Sequence, residues 1–392
     1  MKVAHLTTVD MSLRYLLLAQ MRAVIDGGGE VIGISAPGPW VDELESLGIR
    51  HRALGSSTRS FDPLADLRAA RELWQVLRDE APDVLHTHNP KPGLYGRVVG
   101  RLAGVPIVVN TVHGLYAAPD DRWVKRMAVY TLEGVAARFS DAELVQNPED
   151  LAQLHRWWIS PRAQLLGNGV DLARFNRSRV PAGTRDALRS ELGIRPGQVA
   201  VTTVGRLVRE KGYPELLAAM RILDPDRFVL VCVGGDDSEK ADALPHALVE
   251  SARAHGVRVL GHRDDVVEIL AASDVFVLAS HREGFPRAAM EAAAMGLPIV
   301  ATDVRGCREV VEQGVNGVLV PVRDPVAIAS AVESFADEAR RAAFGQASRA
   351  RARAHFDERA VVEKVLATYA RLARAKDLAG SGSEVEVGED EV

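Results

Sequence analysis

The sequence predicts an α/β protein made of two parallel sheets, each covered by helices, facing each other across a central cleft. Three observations carry this expectation. Short β-branched runs alternate with amphipathic helical stretches along nearly the whole chain, the pattern of repeated strand–helix–strand units. The 392 residues exceed what one core organises, and two domains of roughly 150–200 residues each fit that length. The alternation breaks at Asn168–Thr184, "NGVDLARFNRSRVPAGT", where Gly, Pro, Asn and Arg interrupt both periods and mark a joint.

In the first half, strands are expected in "KVAHLTTV" from Lys2, "EVIGIS" from Glu30, "DVLHTH" from Asp83, "PIVVNTVH" from Pro106 and "AELVQN" from Ala142. Helices over Leu64–Asp79 and Arg122–Phe139 lie between them. A second series begins with "VAVTTVGRL" at Val199 and continues through "RFVLVCVGG", "VRVLGH", "DVFVLAS", "PIVAT" and "GVLVP". The expected boundaries are residues 1–172 for the first domain and 173–357 for the second. A helix over 358–376 should pack back toward the first domain, and 377–392, "DLAGSGSEVEVGEDEV", reads as a disordered acidic tail.

A formal net charge of -5 argues against a protein that coats nucleic acid, so an anionic partner must be held by a local site. Two cysteines, Cys232 and Cys307, make no disulfide framework and have no metal-site spacing. The first residues lack the order of a secretory signal, and no apolar run approaches the roughly 20 residues that span a bilayer. The cytoplasm is the expected compartment, with any membrane work done by surface contact at the inner face.

Ligands of open parallel sheets bind outside the carboxyl ends of the strands, so chemistry belongs in the strand-to-helix loops. In "VGRLVREKGYPELL", Arg206 and Lys211 follow a strand on such a loop. Arg can fork two oxygens and Lys acts as a mobile point charge, a pairing suited to a diphosphate. The plain alternative is a solvated loop in which they pair with Glu210 and Asp236.

"HREGFPRAAMEAAAMGLP", from His281 to Pro298, holds Glu283 and Glu291. Pro286 suits a first helical position, and Gly296 and Pro298 stop the helix near Met295. Glu283 then lies in the loop above "DVFVLAS", Glu291 lies two turns into the helix at the same mouth of the cleft, and the free amides from Gly284 to Arg287 form an anion site between them. Each carboxylate can accept two hydrogen bonds from a vicinal diol. The alternatives are an acid–base pair, or Glu283 paired with Arg282 or Arg287 and Glu291 on a solvated face.

The order "VGRLVREKG", "GHRDDVVEILAASDVFVLAS" and "REGFPRAAMEAAAMGLPIVATDVRGCREVVEQGVNGVLVP" resembles the donor domain of retaining glycosyltransferases of family 4, which have the GT-B fold of two Rossmann-like domains. The likeness extends to "LLGNGVDLARF" at the joint and to "HTHNPKPGLYGRVVGRLAGVPIVVNTVHGLY" in the first half. It implies an acceptor-side domain followed by a nucleotide-sugar donor domain. Arg206 and Lys211 would hold the diphosphate and stabilise the leaving group. Glu283 would contact the transferred sugar, with backbone at Gly284, Phe285 and Pro286 beside the phosphate, and Glu291 would hold the ribose diol. His113, after "PIVVNTV", would contact the transferred sugar or the charge developing near the reacting centre.

The resemblance implies no metal and no cofactor, the nucleotide-sugar being a substrate. A string of the acid-x-acid form, Asp224-Pro225-Asp226, precedes "RFVLVCVGG" and is expected at the wrong end of the sheet for metal binding. One departure concerns the first strand-to-helix loop, "TTVDMSLRY", which has no glycine pair; Thr8 and Ser12 offer hydroxyls instead. His86, His88 and Lys91 in "HTHNPKPG" are further acceptor-side candidates.

Similarity to the branch that builds capsular polysaccharide and exopolysaccharide implies a UDP donor, often with an N-acetylated hexose, and a glycan or polyprenyl-diphosphate-linked acceptor. For peripheral membrane contact the candidates are the stretch from Asp120 to Phe139, with Trp123 and Lys125, together with Lys91, Arg97 and Arg101. Two rival functions share the architecture: a nucleotide-sugar epimerase, and an inactive nucleotide-sugar-binding partner.

Overall fold

The computed structural model describes residues 1–58, 62–88, 90–117, 121–235 and 242–377. The tail from 378 onward and Asp236 therefore lie outside the described residues. The first sheet contains β1 (Lys2–Val9), β2 (Glu30–Ala36), β3 (Arg50–Ala53), β4 (Val84–His88), β5 (Ile107–Val112), β6 (Ala142–Val145) and β7 (Ala163–Leu165), in the spatial order β3-β2-β1-β4-β5-β6-β7. The second contains β8 (Val199–Val204), β9 (Phe228–Val233), β10 (Arg258–Val259), β11 (Val275–Leu278), β12 (Ile299–Thr302) and β13 (Gly317–Val320), in the order β10-β9-β8-β11-β12-β13.

Every ladder is parallel. Helices therefore cover both faces, and the central strands read as unbroken apolar runs because both sides are buried. β5 is buried at all six positions and β9 likewise. The order reverses between β1 and β4 in one sheet and between β8 and β11 in the other, so each sheet has a switch-point crevice at its carboxyl edge.

Two strands escape the sequence reading. β3, "RHRA", and β7, "AQL", are short edge strands whose pattern carries no alternation of apolar residues. The expected first loop is also different. A helical turn begins at Asp10, one residue beyond β1, and passes through a π-helical stretch at Leu13–Leu17. Buried Asp10 accepts backbone N–H bonds from Met11 and from Trp40, at 2.8 and 2.7 Å, which holds this segment against the loop after β2.

The chain crosses between domains twice, side by side. The Val170 amide donates to Phe356 and the Glu358 amide donates to Val170, at 2.9 and 3.2 Å. From this crossing the helix Glu358–Ala375 runs back along the first sheet, starting from the N-cap Asp357. Its Val365, Tyr369 and Leu372 are buried in one cluster with Val3, Ile107 and Val109. Asp226 lies just before β9, pairs with Arg195 at 2.8 Å and is thus at the amino end of the sheet, away from the cleft.

Candidate active site

After β8 the chain turns through Gly205 and Arg206 and makes a tight turn at Arg209–Lys211 that ends on Gly212. Gly212 has φ +71, and a Cβ there would stand 1.9 Å from the carbonyl oxygen of Ala279. Only glycine lets the loop press on the end of β11, and this contact brings Lys211 to Glu283. Lys211 Nζ donates to Glu283 Oε1 at 2.6 Å, and Ser280 Oγ donates to the same oxygen at 2.6 Å. Glu283 is thus paired across the loops with Lys211, not with Arg282 or Arg287. Arg282 instead lies 3.4 Å from Glu210 and over the Tyr116 ring at 4.3 Å.

The helix Arg287–Ala294 follows, with Pro286 at its N-cap. Its first-turn amides have no intrahelical acceptors and form an electropositive end beside Glu283. Phe285 is anchored below it, edge-on to Phe356, and its carbonyl accepts from Asn168 Nδ2 at 3.0 Å. Gly284 is where the domains touch. A Cβ on it would lie 1.8 Å from the carbonyl oxygen of His113, and its own carbonyl accepts from Asn147 Nδ2 at 3.1 Å.

These groups line one cavity of about 320 Å³ that both domains share: His113 and Gly114 on one side, Arg206, Lys211, Glu283 and Gly284 on the other. Arg282 and Arg305 also line it. Arg305 forms an ion pair with fully buried Asp150 and donates to the Leu115 carbonyl at 3.0 Å. Asp150 also accepts from the Leu115 amide and from Asn147. Asn147 and Asp150 are linked locally as the N-cap and third residue of the helix Pro148–Arg156, but their contacts with Gly284 and Arg305 do not stand out in the sequence, because those partners are 137 and 155 positions away.

His113 is bonded through Nε2 to His88 Nδ1 at 3.1 Å. Burial lowers its pKa to about 4, so the ring is neutral at neutral pH. Beneath it Arg97 is 1% exposed and bonded to Glu143 at 2.8 Å and Glu133 at 2.5 Å, while Asn110 Nδ2 donates to Glu143 at 2.7 Å. Arg97 is therefore no membrane contact: an ion pair with two carboxylates holds it inside the domain. Arg101 is committed to Asp141 at 2.7 Å.

Other expected site residues are placed elsewhere. Glu291 does not line this cavity; it lies nearer the interdomain crossing, 4.0 Å from Arg287, and its pKa is raised by burial and lowered in part by Arg287 and Arg174. His86 is fully buried, with Nδ1 2.5 Å from the Tyr369 hydroxyl and Nε2 2.7 Å from Thr111 Oγ1. It has no surface to offer an acceptor, which corrects that expectation. His88, at 1% exposure, acts on the cleft only through His113. Lys91, in the first turn of the helix Pro90–Leu102, is paired with Asp66 at 2.5 Å and reaches the Thr58 carbonyl at 3.0 Å. The Thr8 carbonyl accepts from Ser57 Oγ, and Ser12 is half-buried in the first helical turn.

Family profiles match both halves of the chain: "Glycosyl transferase 4-like domain" over residues 17–169 and "Glycosyl transferases group 1" over residues 184–351. An Escherichia coli protein, UDP-Gal:alpha-D-GlcNAc-diphosphoundecaprenol alpha-1,3-galactosyltransferase, is 31% identical over 77% of this chain and 78% of its own. A D-inositol 3-phosphate glycosyltransferase of Geodermatophilus obscurus is 34% identical over 97% of this chain and 86% of its own. Among solved structures, sucrose-phosphate synthase from Thermosynechococcus elongatus superposes with a TM-score of 0.80 at 23% identity, over 95% of this chain and 99% of that one. The chain belongs to the glycosyltransferases built from a 4-like and a group 1 domain, and it has their GT-B fold.

Proposed function

We propose that this glycosyltransferase moves a hexose, N-acetylated or plain, from a UDP donor with retention to a glycan or polyprenyl-diphosphate-linked acceptor at the inner face of the cell membrane. The observation that carries the donor reading is the Lys211–Glu283 pair at the open amides of the helix Arg287–Ala294, inside a cavity walled by both domains. A diphosphate draws Lys211 and Arg206, and the hydroxyls of the sugar take the oxygens of Glu283 that Lys211 releases. Cationic side chains and helix amides then supply the charge that stabilises the leaving diphosphate, a task that a divalent cation performs in other designs. Glu291 holds the ribose on the hinge side. His113 bounds the sugar from the opposite domain as a neutral group.

The acceptor reading is supported by the Escherichia coli relative, whose name specifies a UDP donor and a diphosphoundecaprenol acceptor. No helix among the described residues is long and apolar enough to cross a membrane. The helix Trp123–Ala136, however, leaves Trp123, Val124 and Met127 exposed, a face suited to interfacial contact with lipid.

A screen of UDP-, GDP- and ADP-sugars, each with and without membrane lipid extract, tests this. Slow hydrolysis of one UDP-sugar and a labelled lipid product are expected, and Lys211→Ala should lower turnover at least about 100-fold with folding intact. Wild-type turnover by Lys211→Ala would sink the diphosphate assignment. Interconversion of UDP-sugars with no acceptor present would identify an epimerase instead.

A further inference from the structure

Neighbouring strands β1, β4 and β5 bring four histidines together, His5 and His86 within their strands and His88 and His113 at the carboxyl edge of the first sheet. His5 is in register with His86 and His88 with Thr111, while His113 follows β5. His5 Nδ1 lies 3.1 Å from His88 Nε2, and His88 Nδ1 lies 3.1 Å from His113 Nε2. His5 Nε2, at the inner end, is buried with no hydrogen-bond partner among the described residues.

We propose that His88 and His5 are positioning residues: with His113 they form a file of hydrogen-bonded imidazoles that fixes the cavity-wall ring in one orientation and in its Nδ1-protonated neutral tautomer. The proposal rests on the reading that His113 bounds the donor sugar.

A neutral imidazole has one N–H and one lone pair, so a file of three can run in only two directions. With every proton on Nδ1, His5 donates to His88 and His88 donates to His113, whose own Nδ1–H ends the file. The inner end is then a bare lone pair. With every proton on Nε2 the direction reverses, and His5 is left with a buried N–H that has nowhere to go. Orphaned buried donors are the rarer and costlier case. That selects the Nδ1 direction, and it is set at the inner end of the file, at His5.

His5, His86 and His88 each offer a nitrogen within 4.8 Å of the others, a spacing that also admits a metal ion. The bonding argues for the file instead. Both nitrogens of His86 are engaged by hydroxyls and both of His88 by neighbouring rings, so a cation would have to displace several of these bonds.

The test uses full-length protein labelled with ¹⁵N in histidine. Long-range ¹H–¹⁵N correlations near neutral pH should show protonated Nδ1 and bare Nε2 on His113, His88 and His5, and metal analysis should find no stoichiometric zinc. In His88→Leu the His113 pattern should change, and kcat should fall about tenfold with the donor KM within about twofold. His88→Asn, which keeps an N–H donor near the place of Nδ1, should recover most of that loss. An Nε2-protonated His113 in wild type, an unchanged His113 pattern in His88→Leu, or one bound zinc per chain would overturn the proposal. Should His88→Leu fail to fold, the wild-type spectrum decides alone. The Nδ1 pattern in a protein that turns over no nucleotide-sugar would uphold the file and sink the donor reading.

Discussion

Burial lowers the pKa of His5 to about 3 and that of His113 to about 4, and it pushes His86 and His88 well below the usual value. In the unfolded chain these rings take up protons near pH 6.5, whereas in the folded chain they stay neutral. The unfolded state therefore binds more protons between these values, so stability rises with pH through this window and is lost as pH falls below about 6.5. Each ring can contribute up to about 1.4 kcal/mol per pH unit. Buried carboxyl groups with raised pKa, Glu133 and Glu291 among them, act in the opposite direction. A difference measurement isolates one ring: His5→Phe should flatten the slope of unfolding free energy between pH 5 and 6 by about 1 kcal/mol per pH unit. Identical slopes in urea titrations of the two proteins would mean that His5 is already protonated or is solvated in the fold. At this scale the sequence discloses Arg206, Lys211 and Glu283, because each stands on a strand-to-helix loop whose neighbours in the chain announce it. It does not disclose that Lys211 and Glu283 neutralise each other, 72 positions apart, or that His88 reaches the cleft only through another ring.

The element that shapes the Lys211 side of the cavity is the short turn ending at Gly212, and its tolerance is low for two independent reasons. Any side chain there meets both a left-handed backbone and the Ala279 carbonyl. Gly212→Ala should destabilise the protein by about 2 kcal/mol or more, read by urea unfolding, and should weaken donor binding more than its stability loss explains. Stability within about 0.5 kcal/mol of wild type would show that the loop does not need its contact with β11. The long central strands are legible as elements because burial on both faces demands continuous apolar residues. β3 and β7 are not, since each runs four residues or fewer at a sheet edge and is held by the ladder beside it. The segment after β1 also differs: it is read as a strand-to-helix loop with Thr8 and Ser12 hydroxyls, yet Asp10 recruits the Trp40 amide and starts a helix at once.

At the scale of the whole molecule, the two domains are joined across the cleft by contacts among the described residues on its cavity side and at its rim. Arg305 with Asp150, Asn147 with the Gly284 carbonyl, and Arg308 with Glu149 at 3.0 Å join the domains on the cavity side. Arg305→Ala removes the cation that answers fully buried Asp150, an uncompensated charge that costs on the order of 3–5 kcal/mol in the shut arrangement. The domains should part, and small-angle scattering should give a larger radius of gyration than wild type in the absence of donor. Equal radii would show that this pair does not hold the cleft. The two-domain plan is legible from length, alternation and the break near Asn168; the shut geometry is not, because it depends on pairs that the chain reveals only once both sheets exist.

The paired crossing at Val170 and Phe356 acts as a fulcrum. Arg287 and Glu358 lie near it, 3.6 Å apart, and so does Phe285, edge-on to Phe356, so the loop that carries Gly284 to His113 starts beside the crossing. Because two segments of the chain pass side by side at this one place, a cut in either leaves the two halves still joined by the other.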